Sequence, residues 1–383
     1  MESAKELLGD IRKEIDEIDA QLLPLFVSRM KCSERVAEIK RKAGLPVLNA
    51  AREQEILDRV REQGGAYGES AAALYAAVMA VSRARQHELL VGGEEIREME
   101  RTAAGEIPQT GVQVCCQGVS GAYAHKAALE FFPSAPIVFK PSWQEVFETV
   151  KAGKADFGVL PVENSTAGSV TDVYGLILKY RFFLVGAVGI RIEHCLAAGK
   201  RGEEITTVIS HPQGLSQCSD YIRAHSLKTV EFSNTAAAAQ YIAEEHPEGG
   251  AAICSREAAE QYGLTILESG IQNAKNNKTR FILIAREPIL PADAGKISLC
   301  FSLPHTTGSL YNVLERFAIA GLNLTKIESC PIPESSFEYD FYLDFTGNIH
   351  QKNTLDLICS LHDELPRFSF LGNYMEREET KQD

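Results

Sequence analysis

Little in this chain points to a membrane, an oxidising compartment or a metal. The longest apolar runs, Ala71–Val81 and Phe182–Ile190, are too short to span a bilayer. The first residues (Met-Glu-Ser-Ala-Lys-Glu) are charged and lack an apolar signal core, so the expectation is a cytoplasmic protein. No CxxC pair occurs. The nine cysteines are odd in number and mostly sit inside apolar segments (Cys115, Cys116, Cys195, Cys254, Cys300), which argues against disulfides and zinc alike. His194 and His211 have no ligand-like spacing to them, so no metal is expected. Low-complexity tracts are missing too. Nor is there an excess of positive charge: the formal net charge is −13, which argues against a nucleic-acid partner.

What is present is a soluble, globular composition, 45% hydrophobic and 24% charged, over 383 residues. That length is too great for one ordinary core and predicts two or three domains. The charge is unevenly shared: residues 1–92 hold 14 basic and 15 acidic side chains, so the acidity lies downstream. Arg29, Lys31, Arg35, Lys40, Arg41 and Lys42 form a local basic cluster, suited to a small anion or simply to a solvated helix face.

Residues 1–92 read as helices. Leu7, Leu8, Ile11, Ile15, Ile18, Leu22, Leu25 and Phe26 recur at three- and four-residue steps. Asn49 is a good N-cap for a second helix to about Glu62, and a third runs from about Glu69 to Leu90. One very long helix with two shorter ones has no two-layer solution within a single chain, so a homodimer is expected. Arg29 and Lys40 lie eleven residues apart, about 20° round the helix, and face one side; Arg12 points about 100° away. Ser82 and Gln86 share a face of the third helix.

This set (Arg12, Arg29, Lys40, Asn49, Arg52, Glu53, Ser82, Gln86) resembles, position by position, the active site of the all-helical chorismate mutases. The resemblance implies a site shared between subunits, with Arg12 reaching across. That reaction is a unimolecular pericyclic rearrangement, needing no nucleophile and no proton transfer. Catalysis must come from holding a dicarboxylate in its compact conformer and stabilising charge on the breaking ether oxygen. The resemblance implies that Arg12 and Arg29 grip carboxylates, that Lys40 and Gln86 donate to the ether oxygen, and that Glu53 accepts from the substrate hydroxyl. Asn49 departs from the Asp often found in the family, and a capping role survives the change.

Near the middle of the chain, Asp156-Phe157-Gly158-Val159-Leu160-Pro161-Val162-Glu163-Asn164-Ser165-Thr166-Ala167-Gly168-Ser169-Val170 reads as a buried strand stopped by proline and followed by crowded polar groups. Such a cluster suits a small polar ligand in an α/β cleft, or a plain N-cap for the helix Val170–Tyr180. Strands alternating with helices on both sides (Phe182–Val188, Thr206–Ser210, Thr229–Phe232, Ala251–Cys254, Arg280–Ala285) make this region α/β. The stretch resembles the signature of prephenate dehydratases. Gln117-Gly118-Val119-Ser120-Gly121, His194-Cys195-Leu196, His211-Pro212-Gln213 with Gln217-Cys218, Asn234-Thr235-Ala236 and Lys278-Thr279-Arg280-Phe281 match further motifs, although Ala124 stands where the family usually has Ser. The resemblance implies two α/β lobes hinged about a cleft, like periplasmic binding proteins, and a site lined by Glu163, Asn164, Gln217 and an essential Thr279. Either Thr279, as a positioned hydrogen-bond donor or relay, or Glu163, with a raised pKa beside a dianion, supplies the proton for the departing hydroxyl.

After Pro288 and Pro291 the order is strand, helix, strand, strand, helix, strand, which is ferredoxin-like. Gly308-Ser309-Leu310-Tyr311, Gly321-Leu322-Asn323-Leu324 and Glu328-Ser329-Cys330-Pro331 resemble the phenylalanine-binding ACT domain of these enzymes. The resemblance implies an allosteric site at Gly308, Ser309, Leu310, Asn323, Leu324, Glu328 and Ser329. Cys330 stands where the family has Arg. The expected organisation is a helical mutase domain (1–92), a linker (93–110), a dehydratase domain (111–288), a regulatory domain (296–375) and a frayed polar tail (Met375–Asp383). The implied substrates are chorismate and prephenate, the effector is phenylalanine, and no cofactor is implied. The alternative is an amino-acid sensor whose cleft no longer catalyses; intact Glu163, Asn164, Gln217 and Thr279 speak against it.

Overall fold

The structure, a computed structural model, describes residues 2–379 except 46, 91, 200–203, 307 and 333–338. The chain forms two compact units: Met1–Glu98 with Ser302–Asn323 and His350–Phe368, and Met99–Phe301 with Leu324–Ile349 and Ser369–Asp383. No helix among the described residues is long and apolar enough to cross a membrane.

The first unit is helical. Helices α1 (Glu2–Ala43) and α2 (Ala50–Gln63) both lie against α3 (Gly68–Leu90). Pro24 sits inside α1 without ending it; Ser28 Oγ donates to the Pro24 carbonyl at 2.8 Å. Asn49 caps α2, its side chain accepting from Arg52 N at 3.1 Å. Gly68 lets the α2–α3 turn close, since a Cβ there would lie 2.3 Å from the Arg61 carbonyl oxygen. Ala37, Val60, Ala72, Met79 and Ala80 are buried, whereas Leu8, Ile11, Ile15, Ile18, Leu22 and Leu25 along α1 are each at least half exposed. The helices Ser309–Ile319 and Lys352–Glu364 belong to the same unit and pack on α3. There His87 Nε2 meets the Glu364 carboxylate, which also accepts from Arg316 Nη1 at 2.7 Å.

The expected linker at 93–110 is in part a helix, α4 (Glu94–Thr102). Its charged sequence hides one buried anchor, Ile96, and Arg97 Nη2 donates to Asp356 at 2.6 Å. Charge density suggested solvent; here it is spent on tertiary ion pairs.

Three sheets make up the second unit. The strands in chain order are β1 (Val114–Gln117), β2 (Ile137–Lys140), β3 (Phe157–Asn164), β4 (Gly168–Ser169), β5 (Phe183–Arg191), β6 (Cys195–Ala198), β7 (Thr207–Ser210), β8 (Lys228–Glu231), β9 (Gly250–Cys254), β10 (Thr265–Ser269), β11 (Lys278–Ala285), β12 (Lys296–Ser302), β13 (Leu324–Pro331), β14 (Tyr339–Thr346), β15 (Ser369–Tyr374) and β16 (Glu376–Glu378). The first sheet has the order β16-β5-β11-β3-β1-β2 with β4 on β3, and the second β10-β6-β9-β7-β8. They are the two α/β lobes expected from the sequence. The third, β13-β14-β12-β15, has the strand order of a ferredoxin-like sheet.

Alternation along β3 and β11 divides the first lobe's core. Leu160, Val162, Ile282 and Ile284 face one layer, and Val159, Phe281 and Leu283 the other. The first layer is closed by the third sheet: Cys300, Tyr342, Leu371 and Tyr374 join it, and the Tyr174 and Tyr342 rings lie 4.3 Å apart. Backbones meet at Gly372, where a Cβ would come 2.0 Å from the Leu184 carbonyl oxygen. The C-terminal residues do not fray throughout: β16 pairs in parallel with β5, continuing the first sheet. Its register is held by Lys278–Glu378 and Lys296–Glu376 ion pairs, so the polar composition reflects an edge strand.

Candidate active sites

In the first unit the structure gathers part of the helical set at one place. Arg29 Nη1 donates to Ser82 Oγ at 3.2 Å, Ser33 Oγ is also hydrogen-bonded to Ser82 Oγ, and Gln86 Nε2 donates to the Ser82 carbonyl at 3.3 Å. Gln86 is 8% exposed, and its Oε1 has no partner among the described residues. Lys40 donates to the Val47 carbonyl. Burial pulls the Lys40 ammonium below the usual lysine range, the Glu53 charge partly offsetting it. Glu53, expected to accept from a substrate hydroxyl, is ion-paired with Arg83. Arg52 turns outward to Glu55, and Asn49 serves as the cap. Arg12 is exposed on α1, seventeen residues and so about 25 Å along the helix from Arg29. Within one chain it is not brought to the others. Sequence reasoning missed Ser33, one turn beyond Arg29, and Arg83, beside Ser82.

In the second unit a cavity of about 580 Å³ lies between the first two sheets, lined by residues of both lobes. Asn164, Gln217 and Thr279 all reach it. Register brings two of them face to face: β3 and β11 are antiparallel with Asn164 opposite Thr279. The Asn164 carboxamide is fully engaged. Its Oδ1 accepts from Thr166 N and Ala167 N, both at 3.0 Å, and its Nδ2 donates to Thr279 Oγ1 at 2.8 Å. Because backbone N–H groups can only donate, this fixes which end of the amide faces Thr279. One lone pair of the Thr279 hydroxyl is thus occupied, which leaves its proton to point elsewhere.

Gln217 is held from behind. Buried His194 meets Gln217 Oε1 through Nε2 at 2.9 Å, and Gln217 Nε2 lies 3.4 Å from Thr166 Oγ1. Burial pushes His194 below the usual imidazole range, the Gln217 bond pulling weakly the other way. A neutral ring donating from Nε2 presents the amide nitrogen of Gln217 to the cavity.

Glu163 does not line the cavity. Neighbours on a strand point to opposite faces, so with Asn164 turned inward the Glu163 carboxylate turns away, to Lys326 Nζ of β13 at 2.9 Å. Arg280, next to Thr279, departs the same way: its guanidinium is buried against Asp344 (2.6 Å) and Tyr374 Oη (2.7 Å). Among the described residues no lysine or arginine lines the cavity. Helix starts do instead. Tyr123, Thr171 and Thr235, the first residues of Tyr123–Phe131, Thr171–Tyr180 and Thr235–Glu245, all line it. Asn234, which caps the last of these, accepts from Ala237 N at 2.7 Å. Several helix N-termini around one cavity supply partial positive charge to an anion without a salt bridge.

The expected effector residues fall in both units. Gly308, Ser309, Leu310 and Asn323 are in the first, Leu324, Glu328 and Ser329 in the second. Gly308, at φ +83°, caps the helix Ser309–Ile319, and Glu328 Oε2 accepts from Ser169 Oγ at 2.6 Å.

A helical site of cationic and amide donors and a bilobal cavity built around a threonine define a two-site enzyme acting on small carboxylates. Comparison with known proteins gives the family. Residues 11–87 match chorismate mutase type II and residues 114–289 match prephenate dehydratase. The chain is 31% identical over 379 residues to the bifunctional chorismate mutase/prephenate dehydratase of Aquifex aeolicus, covering 96% of this chain and 98% of that one. It is 38% identical over 283 residues to arogenate dehydratase 3 of Arabidopsis thaliana, covering 69% and 67%. A solved prephenate dehydratase from Arthrobacter aurescens, in complex with L-Phe, superposes with a TM-score of 0.64 at 30% identity, covering 69% of this chain and 89% of that one. The chain belongs to the bifunctional chorismate mutase/prephenate dehydratase family, and carries both the isomerase and the lyase of phenylalanine biosynthesis.

Proposed function

We propose that Thr279 delivers the proton in the dehydratase step, and the observation that carries this is the Asn164 Nδ2–Thr279 Oγ1 hydrogen bond at 2.8 Å. A threonine hydroxyl is a poor acid in water. With its lone pair held by an amide donor, its O–H is polarised and aimed, and it serves as donor or relay to the leaving hydroxyl. In prephenate the bond from the ring to its carboxylate breaks, the electron pair enters the ring, and the ring C–O bond breaks on the opposite side. The departing hydroxide takes the proton and leaves as water. One prephenate dianion and one proton give phenylpyruvate, CO2 and water. Helix N-termini and the Gln217 amide hold the carboxylates; Glu163, paired with Lys326, takes no part in proton delivery.

In the helical domain Arg29, Lys40, Ser82 and Gln86 bind and orient chorismate, with Lys40 and Gln86 at the ether oxygen and Asn49, Arg52 and Glu53 at the site's edge. Arg12 belongs to the site of a second copy. The exposed apolar stripe from Leu8 to Leu25 supports this, because a homodimer of α1 helices would cover it and carry Arg12 across. By function the domains are 1–92, 111–288 and 296–375, the last dividing its helices and its sheet between the two compact units, and phenylalanine bound by it inhibits a cytoplasmic enzyme. Supplying the purified protein with chorismate, and following its loss and phenylpyruvate formation with and without phenylalanine, tests the whole reading. Arogenate supplied in place of prephenate tests the choice of dehydratase substrate.

A further inference from the structure

We propose that Asn277 is a positioning residue of the dehydratase reaction, which fixes the Asn164 carboxamide and through it aims the Thr279 hydroxyl; this rests on the reading of Thr279 as the donor. Asn277 is 1% exposed and lies two residues before Thr279, hence on the same side of the chain as it enters β11. Its backbone is held at the lobe's edge, the Asn277 carbonyl accepting from Ile192 N at 2.9 Å.

The bond directions follow from the backbone. Asn164 Oδ1 accepts from two main-chain N–H groups, so Asn164 Nδ2 faces Asn277 and Thr279. The atom of Asn277 that meets Nδ2 at 2.9 Å must then be an acceptor, Oδ1. The hydroxyls of Ser165 and Thr166 approach the same oxygen at 3.3 and 3.4 Å. The two hydrogens of Asn164 Nδ2 have their short contacts at Thr279 Oγ1 (2.8 Å) and Asn277 Oδ1 (2.9 Å), with the Lys278 carbonyl farther off at 3.3 Å. Asn277 Nδ2 is buried and has no partner among the described residues, so the side chain engages its surroundings through the oxygen. Without that oxygen, Asn164 Oδ1 keeps its backbone anchors, but the Lys278 carbonyl at 3.3 Å competes for the Nδ2 hydrogens and draws the amide off Thr279. The hydroxyl proton is then free to rotate away from the cavity.

The test supplies prephenate and measures kcat and KM separately, with chorismate loss by the helical domain as a control in the same chain. Asn277→Ala should lower the dehydratase kcat by about 10- to 100-fold, leave KM within about threefold and leave mutase activity unchanged. Asn164→Ala with Asn277→Ala should be no slower than Asn164→Ala alone, because Asn277 acts through Asn164; a merely structural role would make the losses multiply. Asn277→Asp keeps the acceptor oxygen in the same volume, so it carries the test should the alanine variant not fold. Its charge is expected to raise KM, while kcat stays at least tenfold above that of Asn277→Ala, or above one tenth of the parent's. A kcat within twofold of the parent in Asn277→Ala, multiplying losses in the double variant, or a kcat for Asn277→Asp below those limits would each overturn the proposal. If Thr279→Ala keeps making phenylpyruvate, the reading of Thr279 itself has failed. If Thr279→Ala is inactive and Asn277→Ala runs at the parent rate, only the role of Asn277 has.

Discussion

Lys326 Nζ lies 2.9 Å from Glu163 Oε1 and 2.8 Å from Ser169 Oγ, so one side chain of β13 grips both ends of the turn that carries Asn164 and Thr166. The C-terminal sheet therefore touches the dehydratase machinery directly. A shift of β13 on effector binding would be felt at Asn164 without any longer path.

Replacing Lys326 with methionine should loosen that grip. The pair is partly exposed, with Glu163 40% accessible, so it is worth ~0–1 kcal/mol, a factor of up to about five. Titration of dehydratase activity with phenylalanine should show the inhibition midpoint raised two- to fivefold, with mutase turnover unchanged. A midpoint identical to the parent's would show that β13 does not transmit through this contact.

Cys330 makes a second test of the same sheet. It is half-buried against the apolar cluster of Tyr342 and Leu371 and stands opposite Asp340 in the β13–β14 register. A guanidinium there would have Asp340 and Glu328 within reach of its strand. Cys330→Arg should lower the phenylalanine midpoint, by several-fold at most given the strength of a partly exposed pair. An unchanged or higher midpoint would mark the cysteine as an innocent substitution.

The long helix could be read from its periodicity, and the strands around Phe157–Asn164 and Lys278–Ala285 from their apolar runs. What the sequence obscured was direction. Glu163 adjoins Asn164 and Arg280 adjoins Thr279 in the motifs, yet strand alternation turns both toward the third sheet. Asn277, by contrast, was within reach of the same rule, lying two residues before Thr279. The α4 helix and β16 were hidden for another reason: their charged side chains are satisfied by residues distant in sequence, Asp356 for Arg97 and Lys278 for Glu378. Only tertiary structure supplies those partners.

The shared mutase site predicts complementation. Homodimers of Arg12→Ala and of Lys40→Ala should each be nearly inactive on chorismate. Mixing them, with subunit exchange verified by mass, should restore one intact site in each heterodimer. No recovery after verified exchange would place Arg12 outside the site.

Lys40 also predicts a pH limb. Its ammonium must be charged to donate to the ether oxygen, and burial holds it below the usual lysine value of 10.5. As pH rises through that lowered pKa the proton is lost, so mutase kcat/KM, which reports the free enzyme, should fall on a basic limb centred below 10.5. A flat profile up to that pH, in protein that circular dichroism shows to be folded, would rule out a charged Lys40 as the donor.

The most direct measurement is made on Thr279→Ala, with chorismate supplied and both prephenate and phenylpyruvate followed in one reaction. Two sites on one chain, one of them depending on the Thr279 hydroxyl, predict that chorismate is consumed at the parent rate and prephenate accumulates while phenylpyruvate does not form. Phenylpyruvate forming at a rate near the parent's, or both activities falling together in folded protein, would contradict the account.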